Sequence, residues 1–147
     1  MIKRHNGFSI VELIVVISLL SILSAIFLPH FNNVNMLARG SKILADMNAC
    51  ESAVNIYYVR TGSFPADIDA LIPSYMATWP KPPTGSSLIK KHDNNELIVD
   101  VKATGYIYSM PETGSELTTR IGRITLGGMT IDEILSTSES SLTLNDK

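Results

Sequence analysis

The sequence predicts an α+β fold: a long N-terminal helix, apolar on every side in its first half, whose second half packs on a small antiparallel sheet. Three observations carry this expectation. An apolar run fills Phe8 to Leu28, a stripe at helical spacing continues it to Tyr57, and alternating segments bounded by turn residues occupy the last third of the 147 residues. The formal net charge of -2 and the lack of a Lys/Arg block give no basic field for nucleic acid, so none is expected as a direct partner. Cys50 is the only cysteine, so no intrachain disulfide can form and the fold must stand on packing or assembly.

As a helix rising about 1.5 Å per residue, Phe8 to Leu28 covers roughly 30 Å, the hydrocarbon thickness of a bilayer. Lys3 and Arg4 precede the run and no Lys or Arg follows until Arg39, which places the N-terminal side in the cytoplasm and the body outside. A cleaved secretory signal fits poorly, because its apolar segment is typically about 7–15 residues and ends at a small-x-small site. A plain single-span anchor is the other reading, and Glu12 tells against it. A carboxylate deep in a span costs about 2.5–3.5 kcal/mol, and such groups usually have a partner.

The junction "KRHNG" followed by "FSIVELIVVISLLSILSAIFLP" resembles the class III signal of type IV prepilins and of type II secretion pseudopilins. The resemblance implies a pilin-like fold. It also implies that prepilin peptidase cuts after Gly7 and that Phe8, the new N-terminus, is N-methylated. Glu12 would then pair with the Phe8 amine of a neighbouring subunit and fix axial register, because either charge alone is expensive in low dielectric. Pro29 stands where many type IV pilins carry a helix-bending proline; it removes one backbone hydrogen bond and crowds the preceding turn.

Beyond Pro29, Ile43, Met47, Cys50, Val54 and Tyr57 recur on one helical face, with Lys42, Asp46, Asn48, Glu51 and Asn55 elsewhere around the cylinder. Gly62 is the expected stop, giving a helix from Phe8 to Arg60 about 80 Å long. A Thr-Gly-x-Phe-Pro turn like that of many pilins follows, then a short helix over Asp67 to Ile72 closed by Pro73. Pro80, Pro82 and Pro83 mark an irregular connection. Strands are expected at Leu97–Val101, at Tyr106–Met110 and within "LTTRIGRITLGG", and "TIDEIL" carries a capping box from Thr130 to Glu133. The final "STSESSLTLNDK" reads as a polar, mobile tail. The organisation is thus residues 1–7 leader, 8–28 transmembrane and assembly helix, 29–60 amphipathic continuation, and 61–147 extracytoplasmic pilin-like region with that tail. Two family features are missing: the cysteine pair that closes a C-terminal loop in many pilins, and the calcium-loop motif of major pseudopilins.

No enzyme constellation emerges. His5, His30 and His92 are scattered, and Cys50 lies on the apolar stripe, where a packed thiol is expected. "HDNNE", His92 to Glu96, is oxygen-rich but matches no calcium loop and reads as a solvated turn. Phe8, Phe27, Phe31, Tyr57 and Tyr58 are explained by packing, and Lys90-Lys91 is too small a cluster for DNA. No catalytic residue, metal ligand or cofactor is expected. The resemblance implies a structural subunit of a type IV pilus-like fibre, waiting in the inner membrane and then polymerising through its apolar helix. Its partners would be itself and other pilin subunits, prepilin peptidase, an inner-membrane assembly platform and membrane lipid. The fibre could be a surface pilus, a secretion pseudopilus or a DNA-uptake pilus. The alternative is a single-span, membrane-anchored extracytoplasmic binding domain.

Overall fold

The computed structural model describes residues 7–91, 95–110 and 123–146, with the backbone alone at 28–30 and 123. Two compact units divide between Val34 and Asn35.

In the first unit the apolar run is helical, as its composition demands, and belongs to α1, Ile10–Thr61. Its side chains have no protein to pack on: Phe8 is 77 % exposed, Ile17 51 % and Phe27 60 %. Each such side chain gains about 1.5–3 kcal/mol on leaving water, so the segment calls for lipid or other helices around it. Among the described residues α1 is the one helix long and apolar enough to cross a membrane.

The second unit begins with the rest of α1. Ile43, Met47, Cys50 and Val54 are fully buried and Tyr57 packs against the same core, which is the stripe expected from the spacing. The helix ends where glycine permits it. Gly62 has φ +74°, and its N–H donates to the Tyr58 carbonyl at 2.8 Å, a left-handed cap. The next element is a 3₁₀ turn, Ile68–Leu71, capped by Asp67, whose Oδ1 accepts from the Ala70 N–H at 3.1 Å. The helix expected over Asp67 to Ile72 is corrected accordingly. Between the Asp67 cap and Pro73 there is room for only one tight turn.

Three strands form one sheet in the order β1-β2-β5: β1 is Gly85–Lys90, β2 Glu96–Val101 and β5 Ser141–Leu144. A separate antiparallel pair joins β3, Tyr106–Ser109, to β4, Arg123–Leu126. Helix α2, Ile131–Ser136, precedes β5 and starts with the expected capping box, in which the Thr130 N–H donates to Glu133 Oε2 at 2.7 Å. The inward residues Ile89, Leu97, Val99, Val101, Tyr106, Ile124, Leu126 and Leu144 meet the helical stripe in one core.

The expected α+β fold, a long helix on a small and mostly antiparallel sheet, is what forms, and three details differ. The single antiparallel sheet is two sheets, and β5 runs parallel to β2, pairing Val99 with Leu142 and Val101 with Leu144. The "mobile" tail supplies β5 and buries Leu144. Strand β1 was not foreseen, because its inward positions are Ser87 and Ile89, so the serine breaks the apolar alternation. The part of "LTTRIGRITLGG" before Arg123 lies outside the described residues.

The helix also covers the outer edge of β1. Arg39 Nη1 donates to the Ser86 carbonyl at 3.4 Å, and Gly40 sits so close that a Cβ there would lie 2.0 Å from the Leu88 carbonyl oxygen. An edge strand covered in this way cannot template pairing with another chain.

Candidate assembly site

The residues singled out by the junction meet at the start of α1. Ser9 is the residue before the helix: its Oγ accepts from the Val11 N–H at 3.3 Å, and its own N–H donates to Glu12 Oε2 at 3.0 Å. The carboxylate half is that of a capping box, while the hydroxyl serves the N–H of Val11 instead of that of Glu12; Ser-x-x-Glu was the signal in the sequence. Sequence reasoning treated Glu12 only as a charge awaiting a neighbour. The structure adds a local partner, and a carboxylate in the first turn also complements the helix dipole. Among the described residues the second carboxylate oxygen carries no hydrogen bond.

Gly7 and Phe8 lie immediately before this cap, both exposed. Pro29 lies further along the same helix, whose backbone continues through it to Thr61. Ser18, Ser21 and Ser24 each donate to the carbonyl four residues earlier, those of Ile14, Ile17 and Leu20, at 2.7 Å. Their hydroxyls are satisfied within the helix, so these small side chains can face lipid or a close neighbour without an orphan donor.

The body shows packing chemistry. Tyr106 donates its hydroxyl to Asp46 at 3.1 Å, and Asp46 also pairs with Lys42. Burial, with Asp46 and Glu51 nearby, pushes the Cys50 thiol from 9.0 up to about 12, and burial likewise raises Tyr106. A thiol held neutral is a poor nucleophile. The sign for stability follows: the contribution of neutral Cys50 is complete below pH 9.0 and is lost as pH rises towards about 12. The wild-type unfolding midpoint is therefore expected to fall more steeply than that of Cys50→Ala across this interval, as measured by denaturant titration at each pH. Equal slopes would contradict this role for the thiol.

The aromatics at the end of α1 tie the helix to the turn after it. Tyr58 stacks on Phe64 with centroids 4.5 Å apart, Tyr57 meets Tyr75 edge-on at 5.3 Å, and the Tyr108 hydroxyl donates to the Pro65 carbonyl at 2.9 Å. Among the described residues no group of three or more His, Cys, Asp or Glu side chains is placed to hold a metal ion. The oxygen-rich turn at His92 to Glu96 falls for the most part outside the described residues.

The class of this N-terminal arrangement is matched directly. Residues 2–28 fit the prokaryotic N-terminal methylation motif. The chain is similar to the type IV major pilin protein PilE of Neisseria gonorrhoeae, 34% identical over 63 residues, which is 43% of this chain and 38% of that protein. It is also similar to type II secretion system core protein G of Aeromonas hydrophila, 30% identical over 73 residues, which is 48% of this chain and 51% of that protein. A fimbrial protein of Neisseria meningitidis is 33% identical over 63 residues, 43% of this chain and 37% of its own length. The chain thus spans about half or less of the length of these curated relatives. No solved structure matches it with comparable significance.

Proposed function

We propose that the chain is a structural subunit of a type IV pilus-like fibre. The observation that carries the proposal is an apolar helix left exposed on every side, with a capped carboxylate in its first turn, beside Gly7-Phe8 in a methylation motif. Prepilin peptidase cuts between Gly7 and Phe8, and the Phe8 amine is methylated. The chain waits in the inner membrane with its N-terminus in the cytoplasm and its body outside. An assembly platform then draws it from lipid into a bundle of like helices, where close packing replaces lipid contacts.

Glu12 sets register by receiving the Phe8 amine of a neighbour. The cap occupies Oε2, so the pairing need not break it. Both carboxylate oxygens are then engaged, as a buried charge requires. Pro29 supplies a bend that lets the helix fit its neighbours. A surface pilus, a secretion pseudopilus and a DNA-uptake pilus would all use this helix in the same way.

The test is to shear fibres from cells that make the protein and label them with an antibody to the body, residues 35–146. Label along the fibres is expected. Label confined to the membrane fraction of fibre-bearing cells would overturn the proposal in favour of an anchored binding domain.

A further inference from the structure

The end of the chain is held by polar ties at both of its ends. At the near end, the ammonium of Lys91, the residue directly after β1, donates to the carbonyls of Thr137 and, at 3.2 Å, of Glu139. These carbonyls lie between α2 and β5, at the point where the chain must turn from helix to strand. At the far end Asp146 clasps Thr104, accepting from its N–H and its hydroxyl, both at 2.9 Å. Between the two ties, the Ile98 N–H donates to Ser140 at 3.0 Å, and the N–H groups of Lys102 and Ala103 both donate to Leu144 at 2.9 Å.

We infer that residues 137–146 form a strap that opens and closes as one unit, with Lys91 as its latch. The physical reason is the mismatch between the strap's position and its hold. Strand β5 is four residues long and, among the described residues, pairs only with β2, in parallel, so its ladder is short; Leu144 is its one fully buried side chain, with Leu142 half-buried beside it. So short a ladder is a weak hold on a ten-residue segment, since ordering costs conformational entropy at every residue fixed. Hydrogen bonds from a charged donor are stronger than neutral ones, and Lys91 makes two at a single point. When the latch is lost, the short ladder and the Asp146 clasp are all that hold the strap, so it opens more often and one edge of β2 is then unpaired, the condition that invites strand addition.

Native-state hydrogen exchange on the full chain in detergent micelles reads this directly. Lys91→Met keeps the unbranched stem and removes the cation. It is expected to speed exchange at Ile98, Lys102 and Ala103 by about tenfold or more, with Met47 and Val54 in α1 unchanged. Lys91→Arg keeps the cation and is expected to stay near wild type at all five amides. Unchanged exchange at Ile98, Lys102 and Ala103 in Lys91→Met would overturn the inference, as would an equal rise at all five, which reports general destabilisation.

Discussion

Glu12→Ala is expected to leave the chain inserted and processed but to cut its yield in fibres by about a hundredfold, since stripping one partner from a buried ion pair costs about 3–5 kcal/mol. The loss has two sources that can be separated. Alanine removes the acceptor for the Ser9 N–H, and with it the charge proposed to receive a neighbour's amine. Glu12→Gln isolates the second, because glutamine still serves a capping box and carries no charge. Ser9→Ala keeps the Ser9 N–H bond to Glu12 and removes the other half of the cap, the hydroxyl that accepts from the Val11 N–H, and should cost only about 0.5–2 kcal/mol at the helix start. Quantitative blotting of sheared fibres against the membrane fraction checks all three: alanine and glutamine near the floor, Ser9→Ala close to wild type. A single-span anchor with a separate binding role would be indifferent to all of them.

Gly40→Ala should destabilise the body, against the usual sign for a helix. Replacing glycine with alanine inside a helix ordinarily gains roughly 0.5–1 kcal/mol. Here the new methyl would meet the Leu88 carbonyl oxygen at 2.0 Å, and that oxygen belongs to the backbone of a paired strand. Helix and sheet must move apart, at about 1–3 kcal/mol. The thermal midpoint followed by circular dichroism should fall by roughly 5–20 °C. Gly40→Val should do worse, and an unchanged or raised midpoint in Gly40→Ala would show that the close approach is not a constraint.

Gly40 also shows where sequence reasoning stopped. A glycine within a helical pattern was legible, but what approaches it was not, because the contact is with a strand 48 positions on. Features with a local cause came through: the apolar helix, the buried face from Ile43 to Val54, the Gly62 cap and the Thr130–Glu133 box each need only neighbouring residues. Features decided by tertiary partners did not. Alternation at Leu97, Val99 and Val101 revealed a strand and its buried face, but neither the direction nor the identity of its neighbour. The polar C-terminal stretch hid β5, because only Leu142 and Leu144 face inwards and much of its hold comes from Lys91 and Thr104, distant in sequence. At the candidate site Gly7, Phe8 and Glu12 were legible as a group, whereas the Ser9 cap was passed over although its Ser-x-x-Glu spacing was in view.

The measurement that tests the central claim most directly is the intact mass and N-terminal sequence of this protein taken from sheared fibres. The account predicts a chain that starts FSIVE at Phe8, lacks the seven residues before it and carries one added methyl group. A chain that begins at Met1, stays in the membrane fraction and is missing from the fibres of a cell whose prepilin peptidase is active would contradict it.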